Sequence, residues 1–281
     1  FTRLGYQYMS IKDMVRGVDY DPDTNIFYGL FLDAINKINN TDLSLEEAKK
    51  IIEELKIKLS NDDLGKAFFE ILQKGYNGIK LIDSSTTDNN SYVVVTELPY
   101  ENGDDNFRPD IIVLINGMPL SFVEVKRQNN REGILAERER MTRRFSNPIY
   151  KKFVNLTQYT VFSNNNEYDD TDIEPIQGAF YASSNYGRMF FSKFREQRAE
   201  ELDKGIKEID EDVERFILKD NNLLAIKGTP EYASSIRKDS PTNRIVTSLY
   251  SPDRLRFILQ YGLCYKETVD KNGVKHIEKH I

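Results

Sequence analysis

The sequence predicts a mixed α/β fold, in which a central β-sheet is flanked by helices and followed by a helical C-terminal extension. Three observations predict it. Apolar residues recur at helical spacing near the N-terminus, five short segments rich in β-branched and aromatic residues follow, and helical spacing then returns. We therefore divide the single domain into a helical N-terminal part (1–80), a core (90–185) and a helical extension (186–281).

The N-terminal part is predicted to contain three helices. Residues 25–39 place apolar side chains at i, i+3 and i+4, which is typical of an amphipathic helix. Ser44 and Glu47 have the spacing of a capping box, so a second helix should begin there and run to about Leu59. The third helix is predicted over residues 62–74.

Five strands are predicted to form one sheet, over residues 91–98, 110–115, 119–125, 158–163 and 176–182. Asn116-Gly117 lies between the second and third of them and adopts positive φ readily. We expect a type I′ turn there, with antiparallel strands on either side. A helix over residues 134–145 should bring the next strand back alongside.

The extension is predicted to be helical. A long amphipathic segment covers residues 189–219. Ser251-Pro252 is typical of a helix start, with serine as the cap and proline in the first turn, and that helix should run to about Tyr261.

The composition excludes several classes of protein. Cys264 is the single cysteine among 281 residues, so disulfide and cysteine-zinc chemistry are excluded. The two histidines, His276 and His280, supply little for a histidine site. No apolar run of about 18 residues and no signal-peptide core occur, so we expect a cytoplasmic chain without a membrane span. Catalysis would have to use carboxylates, lysine and a hard metal ion.

The net charge of −6 by itself weighs against a nucleic-acid partner, but the basic residues are not evenly distributed. Residues 126–152 contain nine basic residues and three acidic ones. Such a segment is commonly a solvated helix face, so charge alone decides nothing.

The end of the predicted hairpin carries the strongest chemical signal. Glu124 and Lys126 face the same side of their strand, and Asp110 begins the partner strand, so three charged groups should converge. Asp110, Glu124 and the backbone carbonyl of Val125 could share one Mg²⁺ ion. Lys126 would then orient a water or stabilise a phosphoryl group, which predicts phosphodiester hydrolysis. The alternative is an ordinary salt-bridged hairpin end.

These residues resemble a known family. Pro109-Asp110 and Glu124-x-Lys126 resemble the PD-(D/E)xK nuclease superfamily. The stretch RPDIIVLINGMPLSFVEVK is similar to the nuclease domain of the R (restriction and motor) subunit of type I restriction-modification enzymes. The resemblance covers roughly residues 21–281 and is strongest over 107–184.

The resemblance implies a restriction-endonuclease-like core and a magnesium-dependent endonuclease that cuts double-stranded DNA after ATP-driven translocation. It implies catalytic roles for Asp110, Glu124 and Lys126, and methyltransferase and specificity subunits as partners. No G-x-x-x-x-G-K-S/T motif occurs here, so ATP binding is expected only of a full-length parent, and we expect the chain to be a piece of that parent. The helix after Lys126 also lacks the Q-x-x-x-Y motif of many members.

A cutting centre beside the basic segment favours contacts to the DNA backbone. The candidate residues are Arg127, Arg131, Arg138, Arg140, Arg143 and Arg144. Gln158 begins a strand and could contact DNA or simply cap that strand. Asp33 or Glu70 could supply a third acid from the N-terminal helices.

Two other functions remain open at this point. One is a different PD-(D/E)xK nuclease, acting in DNA repair or recombination. The other is a non-catalytic module for DNA binding or subunit docking, against which the intact set of Asp110, Glu124 and Lys126 speaks.

Overall fold

The computed structural model describes residues 1–102, 105–130, 133–169, 171, 173–174, 176–187, 189–193 and 205–281. The strands are β1 (Gln7–Tyr8), β2 (Tyr92–Thr96), β3 (Tyr100–Asn102), β4 (Asp105–Phe107), β5 (Ile111–Ile115), β6 (Met118–Val125), β7 (Tyr159–Ser163), β8 (Ala179–Ser183), β9 (Ser192–Lys193), β10 (Cys264–Val269) and β11 (Lys275–His280). The α-helices are α1 (Tyr28–Asn39), α2 (Leu45–Leu59), α3 (Lys66–Lys74), α4 (Gly133–Ser146), α5 (Lys151–Leu156), α6 (Glu211–Asp220), α7 (Pro230–Ser235), α8 (Pro241–Tyr250) and α9 (Pro252–Phe257).

Seven of these strands form one mixed sheet in the order β1-β2-β5-β6-β7-β8-β9. The strand β6 lies at its centre, antiparallel to β5 and parallel to β7. The five predicted strands all occur in this sheet, and α4 makes the predicted crossover between β6 and β7. The predicted fold class, a mixed sheet flanked by helices, is therefore confirmed.

The two faces of the sheet are covered by different helices. Val123 of β6 belongs to one core cluster, together with buried residues of α1, α2, α3 and α8. Phe122 belongs to a second cluster on the opposite face, together with Met141 and Phe145 of α4 and Phe153 of α5. Alternate residues of β6 thus face different layers, which decides where the charged residues at its end can point.

The N-terminal helices follow the predicted pattern with one exception. The Ser44 hydroxyl and the Glu47 side chain form the predicted capping box at the start of α2. The third helix begins at Lys66 rather than at residue 62, because Leu64 and Gly65 have positive φ values of 55° and 81°. A Cβ on Gly65 would lie 2.0 Å from the carbonyl oxygen of Asn155, so this position requires glycine. The helix starts only after these two left-handed residues.

The extension is only partly helical. The helices α6 to α9 are present, and Pro252 starts α9 as predicted, but an antiparallel hairpin of β10 and β11 follows them. The predicted helix over 189–219 is wrong at 192–193, which are strand, and at 205–210, which are not helical, and residues 194–204 lie outside the described residues. Buried residues of α8, including Ile245 and Tyr250, join the same core cluster as the N-terminal helices.

No helix in the described ranges is long and apolar enough to cross a membrane.

Candidate active site

The turn between β5 and β6 fixes the position of both strands. Asn116 and Gly117 have φ values of 53° and 75°, as a type I′ turn requires. The Asn116 side chain is buried, accepts a hydrogen bond from the Ser91 backbone N–H and donates one to the Leu81 carbonyl. A Cβ on Gly117 would lie 2.7 Å from the Phe31 nitrogen, so glycine is needed both for φ and for the close approach of α1.

A register shift within the hairpin aligns the two carboxylates. Leu114 pairs with Pro119, but Val113 pairs with Ser121, so β6 contains one extra residue at this point. The pairing then continues to Ile111 and Val123, and the next step along the ladder places Asp110 opposite Glu124. Without the extra residue, Asp110 would lie opposite Val123, whose side chain faces the other layer.

The ammonium group of Lys126 lies among three carboxylates. Its Nζ atom is 3.0 Å from Glu124 Oε2, 3.1 Å from Glu137 Oε2 and 3.7 Å from Asp110 Oδ2. The Lys126 backbone N–H donates to the Ser163 carbonyl at 2.8 Å and so continues the β6–β7 ladder. The predicted convergence of Asp110, Glu124 and Lys126 is thus present.

The Glu124 carboxyl group is held in an unfavourable environment for a charge. Its side chain is only 4% exposed, and Oε1 has no hydrogen-bond partner among the described residues. Burial raises the pKa of Glu124 to about 8, and the nearby Asp110 and Glu137 carboxylates contribute, although Lys126 opposes them. The ammonium of Lys126 at Oε2 therefore does not fully compensate a charge on Glu124.

Asp110 and Lys126 are the more accessible members of the set. Asp110 Oδ2 accepts a hydrogen bond of 2.7 Å from the Val125 backbone N–H, which ties the start of β5 to the end of β6. Burial alone would lower the pKa of Lys126, but Glu124, Glu137 and Asp110 outweigh it and the pKa is raised. Lys126 is therefore a cationic hydrogen-bond donor at neutral pH.

Sequence reasoning missed Glu137, which lies on α4. The buried face of this helix carries Ile134, Glu137, Met141 and Phe145, spaced by three or four residues. Since α4 covers the face of the sheet that includes Phe122, and Glu124 is two residues further along β6, the Glu137 side chain reaches Lys126. An acid within an apolar helical stripe was the signal that could have identified it.

Comparison with known proteins identifies the family of the chain. Residues 1–170 match the family described as "Type I restriction enzyme R protein N terminus". The chain belongs to this family. It is 30% identical over 153 residues to the "Putative type I restriction enzyme MjaIXP endonuclease subunit" of Methanocaldococcus jannaschii, covering 44% of this chain and 14% of that protein. It is 29% identical over 126 residues to the "Putative type I restriction enzyme MjaVIIIP endonuclease subunit" of the same organism, covering 43% of this chain and 12% of that one.

The candidate DNA-contacting arginines after Lys126 differ in exposure and in their partners. Arg127 and Arg143 are exposed, and Arg140 is exposed as well but forms an ion pair of 3.2 Å with Glu137. The Arg138 guanidinium instead forms an ion pair of 2.7 Å with Glu174, and its side chain is only 14% exposed. The Arg144 guanidinium lies 4.4 Å from the ring centre of Phe107. Arg131 lies outside the described residues.

Gln158 and the two suggested helical acids make no hydrogen bond or ion pair with the site among the described residues. The Gln158 side chain is fully buried, and its amide donates to the Leu156 carbonyl. It precedes Tyr159, which pairs with Ser121, whereas Glu124 pairs with Phe162 further along the strands. This burial does not favour a contact of Gln158 with DNA, and the hydrogen bond to Leu156 fits the alternative, which is capping of the strand. Asp33 is exposed on α1, and Glu70 pairs with Lys66 and Lys74 on α3, so no ion pair or hydrogen bond among the described residues joins either acid to Asp110, Glu124 or Lys126.

Proposed function

We propose that this chain is the endonuclease domain of a type I restriction enzyme R subunit, and that it hydrolyses phosphodiester bonds of double-stranded DNA with Mg²⁺ as its cofactor. The observation that carries the proposal is the convergence of Asp110, Glu124 and Lys126 at one end of the β5–β6 hairpin. The endonuclease-subunit names of the two relatives support it, although the chain spans only 14% and 12% of their lengths.

The donor set suits Mg²⁺. In the described part of the chain, no three His, Cys, Asp or Glu side chains are spaced to hold a metal by themselves. Mg²⁺ does not need three, because it commonly keeps several waters and binds through one or two carboxylates and a substrate phosphate. Asp110, Glu124 and the Val125 carbonyl would hold it, and the buried Oε1 of Glu124, which has no hydrogen-bond partner among the described residues, would then coordinate the metal.

The metal, Lys126 and the exposed arginines have different roles in the proposed hydrolysis. Bound Mg²⁺ supplies charge that polarises the phosphate and acidifies a water. Lys126 orients the attacking water and offsets the negative charge that grows on the phosphate oxygens. Attack by the water oxygen forms one P–O bond and breaks the P–O bond to the leaving sugar oxygen, which takes up a proton while the attacking water loses one. The exposed Arg127, Arg140 and Arg143 contact backbone phosphates, which position DNA without reading its bases.

The remaining parts of the reaction belong to the parent assembly. We propose that cutting is non-specific and follows ATP-driven translocation by motor domains outside this chain, with ATP bound only there. Methyltransferase and specificity subunits would select the DNA, and the complex would act in the cytoplasm. These proposals rest on the family resemblance of the residues around Asp110 and Glu124.

The test separates cutting from movement on DNA. In the complete restriction complex, Asp110→Ala and Lys126→Ala should each abolish cutting of plasmid DNA and leave ATP hydrolysis and translocation at wild-type rates. Full cutting by either variant would refute the assignment. Loss of ATP hydrolysis as well would indicate a failure of assembly, and equal cutting by the wild type in EDTA would refute metal dependence.

A further inference from the structure

The least expected group near the site is the carboxylate of Glu137. Its side chain is 1% exposed, and neither oxygen has a hydrogen-bond partner among the described residues. Two cations lie within ion-pair distance of Oε2: Lys126 Nζ at 3.1 Å and Arg140 Nη1 at 3.2 Å. Burying a carboxylate is expensive, so a position on an apolar helix face calls for a reason beyond packing.

The charges around Lys126 suggest that reason. Three carboxylates, those of Asp110, Glu124 and Glu137, share the single ammonium group. If Asp110 and Glu124 bind a divalent cation, the cation compensates their negative charge and repels the ammonium of Lys126. Glu137 is then the carboxylate that is left to pair with Lys126, and it lies on α4 rather than on the hairpin.

We infer that Glu137 is a positioning residue that keeps the Lys126 ammonium in the site when Asp110 and Glu124 bind the metal. This inference rests on the proposed nuclease function and extends it to a residue outside the hairpin. Arg140, whose side chain is 51% exposed, pairs with the same Oε2 atom and joins the buried carboxylate to the surface of α4.

The test uses two substitutions and a matched control in the complete complex. Glu137→Gln removes the charge at nearly constant size, and Glu137→Asp keeps the charge on a shorter side chain. Glu139→Gln makes the same chemical change two residues away, at an exposed position of α4. We expect Glu137→Gln to lower kcat for DNA cutting by about 10- to 100-fold without raising KM, as loss of a supporting contact typically does. Glu137→Asp should restore part of the rate, and Glu139→Gln should cut like the wild type.

A second measurement distinguishes positioning from metal binding. Ca²⁺ affinity of the full-length subunit, measured by calorimetry, should change less than about 3-fold in Glu137→Gln and fall at least about 10-fold in Glu124→Gln. A 10-fold loss in Glu137→Gln would overturn the inference by making Glu137 a ligand.

Two results distinguish a failure of this inference from a failure of the proposed function. Wild-type kcat in Glu137→Gln would overturn the inference alone and leave the proposed nuclease function intact. Absence of cutting by the wild-type complex in Mg²⁺ would refute the proposed function and the role of Glu137 together.

Discussion

Replacement of Glu124 by glutamine should stabilise the metal-free protein. Three carboxylates face two cations, Lys126 and Arg140, so the buried set carries an excess negative charge. Raising a carboxyl pKa from 4.5 to about 8 corresponds to at most about 5 kcal/mol of cost to the ionised form. Relaxation of the side chains reduces this cost, so we expect Glu124→Gln to raise the free energy of unfolding by about 2 to 4 kcal/mol at pH 8.5.

The sign of the pH dependence follows from the same shift. Below pH 4.5 the carboxyl is protonated in both the folded and the unfolded chain, and the cost is absent. Between pH 4.5 and about 8 the folded chain holds a proton that the unfolded chain has released, so stability falls as the pH rises. The advantage of Glu124→Gln should therefore be small at pH 5 and greatest above pH 8.

The assay is urea unfolding followed by circular dichroism, with EDTA or with Ca²⁺. In EDTA the variant should be the more stable protein, and added Ca²⁺ should stabilise the wild type more than the variant. The exposed Glu139→Gln is the control and should stay within about 0.5 kcal/mol of the wild type. A Glu124→Gln variant that is no more stable than the wild type in EDTA at pH 8.5 would refute the reasoning.

Three further predictions concern other parts of the chain. Burial lowers the pKa of Lys279 to about 7, so the free energy of unfolding should rise between pH 7 and pH 10 in the wild type, and urea titrations of Lys279→Met should lose that rise. An unchanged pH dependence of the free energy of unfolding in Lys279→Met would contradict the lowered pKa of Lys279. In the same titrations, Gly117→Ala should lower the free energy of unfolding by about 2 to 4 kcal/mol, because residue 117 has positive φ and the added Cβ would clash with α1. A variant as stable as the wild type would contradict this prediction. Arg143→Gln should lower DNA affinity and reduce the salt dependence of binding by about one phosphate contact, whereas an unchanged slope would exclude Arg143 from the interface.

Local sequence signals were sufficient for most of the central sheet and for the hairpin. The turn at Asn116-Gly117 requires positive φ at both positions, which few other residue pairs adopt readily. The capping box of Ser44 and Glu47 likewise predicts the start of a helix. Strand alternation also places Glu124 and Lys126 on one face without knowledge of the rest of the fold.

Features that depend on distant contacts were not predictable. The late start of α3 reflects the approach of Gly65 to Asn155, which is far away in sequence. The extra residue in β6 is visible only in the pairing with β5, although it decides that Asp110 meets Glu124. Glu137 was overlooked because its helix was interpreted as a basic surface, whereas the packing of α4 on the sheet turns this one acid inward.

The central claim is that Asp110 and Glu124 share one divalent cation beside Lys126. The most direct measurement is the anomalous diffraction of Mn²⁺ in crystals of the chain, collected at the manganese absorption edge. We expect one strong peak at about 2 Å from a carboxylate oxygen of each of Asp110 and Glu124, a distance typical of small hard cations. A saturated crystal in which Mn²⁺ lies elsewhere, with neither carboxylate in its coordination shell, would contradict it.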